Sequence, residues 1–204
     1  MVDPDGEEFT KIMEYYAQQI ESFCDKVISR ITKIDETCRT DRENLQLKVF
    51  QDTKQEIMSM RNDKTTLYCL SIGLLSDPDA DGSTNYGGTT MNNGDKQDII
   101  NVSVKADGFE TSDKKMTRQG LTRLSHELKL GYQFFSNEMQ FADDGSGIYI
   151  ILNDHPLEKD AYSRSFAFFG QSYQQAINRG LDDRINPQNQ YLQANPCVTI
   201  IKHR

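Results

Sequence analysis

LTRLSHELKLGYQFF occupies residues 121–135 and, with its flanks, predicts a helix over residues 117–135. Thr117 is a candidate N-cap for this helix, since its hydroxyl can accept from a free amide of the first turn. Two strands are predicted before it, at the β-branched and apolar residues 65–74 and at the alternating residues 98–106. The helix therefore follows sheet-forming sequence and is expected to pack against it.

More regular structure is predicted on the C-terminal side of this helix. Residues 143–147 read DDGSG, a strong turn signal that predicts a β-hairpin over residues 138–152. A further helix is predicted over residues 156–179, with Pro156 at an early turn, where a missing N–H costs nothing. The short apolar run at residues 197–201 predicts an edge strand.

The N-terminal third of the chain is helical in character. Apolar residues spaced three and four apart predict one helix over residues 7–37 and a weaker one over residues 41–60, with Asp41 as its N-cap. Together they predict an antiparallel helical hairpin. Helices followed by mixed strands and helices indicate the α+β class. The predicted domains are a helical arm, residues 1–62, and a main domain, residues 63–204.

A polar segment separates the two predicted strands. Residues 76–97 are rich in Gly, Asn, Asp, Thr and Ser, which predicts a long loop, and loops of this length are often functional. Its part DPDADG, residues 77–82, matches the first half of an EF-hand loop. The twelfth position of that loop would be Gly88, where calcium requires a bidentate Glu. An acidic turn is therefore the favoured interpretation over a calcium site.

Composition limits the class of protein. The net charge is -8 and the isoelectric point is about 4.9, which argues against nucleic-acid binding. No apolar run approaches the roughly 18–20 residues that cross a bilayer, and the acidic N-terminus is not a secretory signal. Cys24, Cys38, Cys69 and Cys197 form no CxxC pair and are interpreted as thiols. A Cys38–Cys69 or a Cys69–Cys197 disulfide stays open as the alternative.

His126 and Glu127 begin what would be an H-E-x-x-H motif. In the complete motif two histidines four residues apart face one side of a helix and bind one zinc ion, and the Glu acts as general base. Here Leu130 stands at the position of the second histidine and has no lone pair to donate. Because a catalytic zinc needs three protein ligands and an open position, the sequence predicts an impaired site.

The residues around this motif carry a resemblance to a known family. The matching positions are His126, Glu127, Leu128, Tyr132, Gln133 and Phe134, then Ala161, Tyr162 and Arg164. They resemble the metallopeptidase domains at the C-termini of Rhs-repeat polymorphic toxins, particularly in Bacteroidetes, which carry H-E-L-x-H-A-Y-Q-F, a short hairpin and a segment like E-V-E-A-Y-x-R. Residues 2–6, VDPDG, resemble the D-P-x-G segment that closes the Rhs core just before the toxin.

The resemblance implies a zincin-like fold with a small sheet and an active-site helix, and zinc as the cofactor of the parent family. His126 would be the first metal ligand, and the third would fall on Asp160, with Glu158 as the neighbouring alternative. Asp160 departs from the family's Glu, a mild change between two carboxylates. Leu130 is the serious departure. His155, which follows Asp in the predicted loop, is a further candidate ligand by its side chain alone.

The same resemblance implies the roles of three other residues and a biology. Glu127 would be the catalytic base, and Tyr162 and Arg164 would polarise the substrate carbonyl or its tetrahedral intermediate. The parent activity is zinc-dependent peptide hydrolysis of a target protein, by an effector delivered from the producing bacterium to the target-cell cytoplasm. A cognate immunity protein is the expected partner, and neither nucleic acid nor a membrane-spanning segment is expected.

Plainer interpretations stand beside these. His126 can be a helix histidine hydrogen-bonded to a carboxylate, Asp160 a first-turn acid stabilised by the helix dipole, and Tyr162 and Arg164 packing residues. The first rival function is a protein-interaction module on a peptidase-like fold, acting through residues 76–97 or the helical arm. The second is a nuclease toxin that uses His126, Glu127 and Arg164, which the acidic charge disfavours.

Overall fold

The computed structural model describes residues 9–75, 80–136 and 156–169. The described part belongs to the α+β class, as predicted, and contains four α-helices and a three-stranded sheet. In chain order the elements are α1 (Lys11–Thr32), α2 (Asp41–Asn62), β1 (Thr66–Gly73), β2 (Gly82–Asn92), β3 (Asp95–Lys105), α3 (Arg118–Phe135) and α4 (Pro156–Phe169). A single 3₁₀ turn, Glu36–Cys38, links the first two helices.

The two N-terminal helices form the predicted antiparallel hairpin. Arg61, near the end of α2, pairs with Glu14 and Glu21 of α1 at 2.8 and 2.7 Å, whereas Lys54 pairs with Asp25 further along. The predicted span 7–37 was too long, since α1 ends at Thr32. Its start was also wrong, because Phe9 forms a β-bridge to β1.

A capping box starts α2, and it corrects the predicted cap. The Thr40 hydroxyl accepts a hydrogen bond from the Glu43 amide at 3.2 Å, and the Glu43 carboxylate accepts one from the Thr40 amide at 2.9 Å. Thr40 is therefore the N-cap and Asp41 the first helical residue. The prediction of Asp41 was wrong by one position, because a reciprocal Thr–Glu pair satisfies two amides where Asp41 would satisfy one.

The sheet has the strand order β1–β3–β2, with β1 parallel and β2 antiparallel to β3. The strands predicted at 65–74 and 98–106 are confirmed as β1 and β3, although β3 already begins at Asp95. The long loop predicted over 76–97 is wrong, because β2 fills half of that span and β3 begins within it, at Asp95. A turn at Asn93 and Gly94, with φ of 51° and 96°, joins β2 to β3. Residues 77–79 of the segment resembling an EF-hand loop lie outside the described residues.

One face of the sheet carries the core. Tyr68 of β1 and Ile100, Val102 and Val104 of β3 are buried there, and α3 packs on them at Gly131, where an added Cβ would lie 3.7 Å from Ile100. The same hydrophobic cluster includes residues from each described helix, among them Ile20, Phe50, Leu128 and Phe168. Both predicted domain segments thus contribute to one core, and the boundary at residue 62 stays a prediction.

The helix predicted over 117–135 is confirmed as α3. The Gly120 amide donates to the Thr117 hydroxyl at 3.0 Å, which confirms Thr117 as a capping residue. The helix predicted from Pro156 is observed as α4 to Phe169. The hairpin predicted at 138–152, the rest of the predicted span to 179 and the edge strand at 197–201 lie outside the described residues.

Two smaller predictions concern the cysteines and the membrane. Cys24, Cys38 and Cys69 are free thiols, and Cys197 lies outside the described residues. Among the described helices, none combines the length and apolar character that crossing a bilayer requires.

Candidate functional site

The site is built on two helices that lie antiparallel, side by side. Near the start of α3, the Arg118 Nε donates to the Phe168 carbonyl at 3.0 Å, close to the end of α4. Near the end of α3, the Gln133 amide lies 3.5 Å from the Asp160 carboxylate in the first half of α4. The helix that bears His126 and the helix that bears Asp160 are therefore direct neighbours.

His126 faces α4 and is buried, with 9% of the residue exposed. Its Nδ1 lies 3.1 Å from the Ser165 hydroxyl, and its ring packs edge-on against Tyr162 with centroids 4.7 Å apart. The Ser165 hydroxyl also lies 3.2 Å from the Ala161 carbonyl of its own helix. The imidazole is thus held by packing and by a hydroxyl of the neighbouring helix.

Glu127 faces the sheet instead. Its Oε2 accepts a hydrogen bond from the Thr84 hydroxyl of β2 at 2.7 Å. Gly82 passes so close that an added Cβ would lie 2.7 Å from both Cγ and Cδ of Glu127. Only 5% of Glu127 is exposed, so its carboxylate is buried in a pocket that Gly82 and Thr84 shape. His126 and Glu127 are adjacent in sequence, but His126 contacts α4 and Glu127 contacts β2.

Leu130 is part of the hydrophobic core cluster. Its position four residues after His126 puts it on the α3 face that also bears the imidazole, as the motif spacing predicts. Where the complete motif has its second histidine, α3 therefore presents an apolar side chain that packs in the core.

Asp160, the expected third ligand, is 55% exposed and pairs with Lys129 at 3.0 Å. Glu158 lies within α4, but its side chain and the whole of His155 are outside the described residues. Among the side chains that the structure describes, no three His, Cys, Asp or Glu residues converge as a metal site. Of the expected set, His126 and Asp160 are the two donors with described positions, and Leu130 contributes none.

Tyr162 and Arg164, the expected substrate-polarising residues, have clear neighbours. Tyr162 packs on His126, as described above. Arg164 is buried, with 4% exposed, and its guanidinium donates to the Glu56 carboxylate of α2. The same carboxylate accepts from the Lys129 ammonium of α3 at 2.8 Å. Arg164 thus has a buried ion-pair partner within the protein, which agrees with its interpretation as a residue that packs and pairs.

The Glu56–Lys129–Arg164–Asp160 network contains two residues that sequence reasoning missed. Glu56 lies 73 positions before Lys129 and 108 before Arg164 in the chain. No local pattern connects residues so far apart. The available signal was the presence of charged residues at buried helical positions, since buried charges occur where they are paired.

A buried thiol lies close to this network. Burial raises the pKa of the Cys24 thiol to about 12, against the opposing influence of the Arg164 charge. Cys24 is fully buried in the core cluster. Its thiol therefore stays protonated at neutral pH and behaves as a small apolar side chain.

Comparison with known proteins adds no relative to this picture. No protein-family model, no curated protein and no solved structure matches the chain significantly.

Proposed function

We propose that this chain is a zincin-like toxin domain of an interbacterial Rhs polymorphic system, catalytically impaired by Leu130. The observation that carries the proposal is the antiparallel packing of α3 and α4, which makes the helix bearing His126 and Glu127 a neighbour of the helix bearing Asp160. In a complete site of this class, the H-E-x-x-H helix supplies two ligands and a later element supplies the third.

The surroundings of Glu127 also support this proposal. A small sheet beside the motif helix, with its β2 strand against the Glu127 carboxylate, agrees with a zincin-like arrangement. Because Gly82 has no side chain, the strand backbone approaches the carboxylate closely. A general base must lie within hydrogen-bond reach of the proton that it removes, and here the carboxylate of Glu127 is held in place by Thr84.

The donor set of the chain as written falls short of a catalytic zinc site. His126 and Asp160 would supply two ligands, and the parent chemistry requires a third together with an open position for water. Zinc in the parent family activates a water molecule for attack on a peptide bond. In this chain the described residues at the corresponding positions instead pack and pair within the protein, and no catalytic step follows from them.

A growth experiment tests the toxin and peptidase parts together. The chain, its Leu130→His variant and a Leu130→His/Glu127→Gln control are expressed in the bacterial cytoplasm, with equal accumulation checked by immunoblotting. We expect only Leu130→His to arrest growth, because it restores the motif while the control lacks the base. Equal growth of all three strains at equal protein levels would argue against the proposal.

The second candidate is a protein-interaction module on the same scaffold, and the setting of His126 favours it. Its imidazole contacts Ser165 and Tyr162 within the helix pair, as expected of a packing residue. A module of this kind gains its stability from packing and not from metal. Thermal unfolding of the Leu130→His variant, with zinc and with a chelator, discriminates the two: a midpoint that zinc raises would contradict the interaction-only function, and a midpoint that zinc leaves unchanged would favour it.

A further inference from the structure

We infer that Glu56 of α2 is a positioning residue for the helix pair that holds His126 and Asp160. Its two carboxylate oxygens accept from different helices, Oε1 from Lys129 of α3 at 2.8 Å and Oε2 from Arg164 of α4. The inference rests on the proposed function, because that function identifies the helix pair as the place of a zinc site. Since Glu56 lies on α2, the predicted helical arm becomes a structural part of the site.

The charges of this network are buried. The side chains of Glu56, Lys129 and Arg164 are 10%, 11% and 5% exposed. A buried charge is costly to keep unless it is paired and hydrogen-bonded, so each of the three needs the others. With Asp160, which also pairs with Lys129, the network contains two carboxylates and two cations and is formally neutral.

The network reaches the residues next to His126 and Asp160. Lys129 follows His126 by one helical turn, and Arg164 is the neighbour of Ser165, whose hydroxyl contacts His126. Lys129 also contacts Asp160 at 3.0 Å. The ion pair with Lys129 thus holds a residue that contacts the candidate ligand Asp160. The ion pair with Arg164 holds the residue next to Ser165, which contacts His126. Glu56 therefore sets the separation of α3 and α4 at this level of the pair.

A second charged residue of α2 separates positioning of the helix pair from general stability. Arg61, also on α2, ties that helix to Glu14 and Glu21 of α1 and contacts neither α3 nor α4 through those pairs. Arg61→Gln is therefore a matched control, since it removes ion pairs of the same helix away from the site. Glu56→Asp keeps the charge with a shorter reach and serves as the conservative variant.

The first experimental arm uses the full chain as written. We measure carbethoxylation of His126 by peptide mass spectrometry in Glu56→Gln, Glu56→Asp and Arg61→Gln, under conditions where circular dichroism shows each to be folded. We expect Glu56→Gln to raise the modification rate of His126 about tenfold, a factor that corresponds to about 1.4 kcal/mol, with partial recovery in Glu56→Asp and no change in Arg61→Gln. An unchanged rate in folded Glu56→Gln overturns the inference. If Glu56→Gln does not fold, Lys129→Gln takes its place, because it removes one arm of the bridge, together with the contact to Asp160, and leaves the pair between Glu56 and Arg164. An unchanged rate in folded Lys129→Gln likewise overturns the inference.

The second arm adds Leu130→His to Glu56→Gln and to Arg61→Gln and titrates zinc by calorimetry. We expect the Glu56→Gln combination alone to weaken zinc binding by roughly 10–100-fold, the usual effect of losing a residue that orients ligands. Equal affinities in the two combinations overturn the inference. If Leu130→His itself binds no zinc, the proposed function fails, and the first arm still decides the role of Glu56.

Discussion

The hydroxyl of Thr84 on the strand β2 donates a hydrogen bond of 2.7 Å to the carboxylate of Glu127 on the helix α3. The strand β2 was not predicted from the sequence, whereas Glu127 was predicted as the base of the motif. This hydrogen bond joins the two. It holds Glu127 against the sheet, while the preceding His126 contacts α4. At His126 and Glu127, α3 therefore contacts α4 on one side and the sheet on the other.

Gly82 is predicted to be intolerant of a side chain because of this contact. In Gly82→Ala the new Cβ would lie 2.7 Å from Cγ and Cδ of Glu127, so the carboxylate or the strand must shift. We expect a loss of about 1–3 kcal/mol in the free energy of unfolding, as for overpacking elsewhere. Urea denaturation measures it. Gly73→Ala is the control, because an added Cβ there meets nothing within 4 Å. Equal stabilities of the two variants would contradict the close packing at Gly82.

Thr40→Ala is predicted to destabilise the chain by about 1 kcal/mol, since it removes the hydroxyl that caps α2. The Glu43 amide would lose its acceptor at 3.2 Å, and the reciprocal contact would lose its geometry. Thermal unfolding followed at 222 nm, the helix signal, is the measurement. Thr40→Ser keeps the hydroxyl and should retain the stability of the parent chain. If Thr40→Ser lost as much as Thr40→Ala, a role other than capping would be indicated.

Glu110 is predicted to contribute stability that is lost in acid. The hydrogen bond from the Lys114 ammonium, and then that from the Tyr16 hydroxyl, lower the pKa of its carboxyl. A folded-state pKa below the unfolded value of about 4.3 means that the contribution is present above that pH. It disappears as the pH falls through the lowered folded-state pKa.

Denaturant midpoints of the chain and of Glu110→Gln, measured between neutral pH and about pH 2, test this linkage. The variant should be the less stable at neutral pH, and the two curves should converge in acid. A difference that stayed constant across the range would show that the ionisation of Glu110 does not matter.

The thiols are predicted to differ sharply in reactivity. Burial raises the pKa of Cys24 to about 12 and closes access to it, whereas Cys38 is exposed. Since the thiolate is the reactive form, iodoacetamide should label Cys38 in the native chain and Cys24 only after unfolding. Peptide mass spectrometry after native and denatured labelling separates the two sites. Labelling of native Cys24 at the rate of Cys38 would contradict the buried position.

Local patterns were sufficient to predict the helices and two of the strands. Apolar spacing located α1 and α2, a β-branched and apolar run located β1, and an alternating pattern located β3. The strand β2 was missed because its Gly, Asn and Thr residues are typical of loops. Asn93-Gly94, the dipeptide that most strongly favours a tight hairpin turn, was the signal that could have found it.

The candidate site was predictable only along one helix. The spacing of His126, Glu127 and Leu130 on α3 follows from helix geometry alone. Whether a side chain of α3 contacts the sheet or α4 depends on the tertiary packing of β2 and α4. The ion pairs of Glu56 with Lys129 and Arg164 join residues far apart in the chain, so no local pattern could predict them.

Zinc titration of the chain and of its Leu130→His variant, in parallel by calorimetry, tests the central claim most directly. Leu130 stands four residues after His126, so a histidine there would present its ring on the same face of α3. We predict tight binding by Leu130→His, weak or no binding by the original chain, and loss of the tight binding in Leu130→His/His126→Ala. Absence of binding by both the chain and Leu130→His would contradict the metallopeptidase-like origin and leave His126 and Glu127 as packing residues of α3.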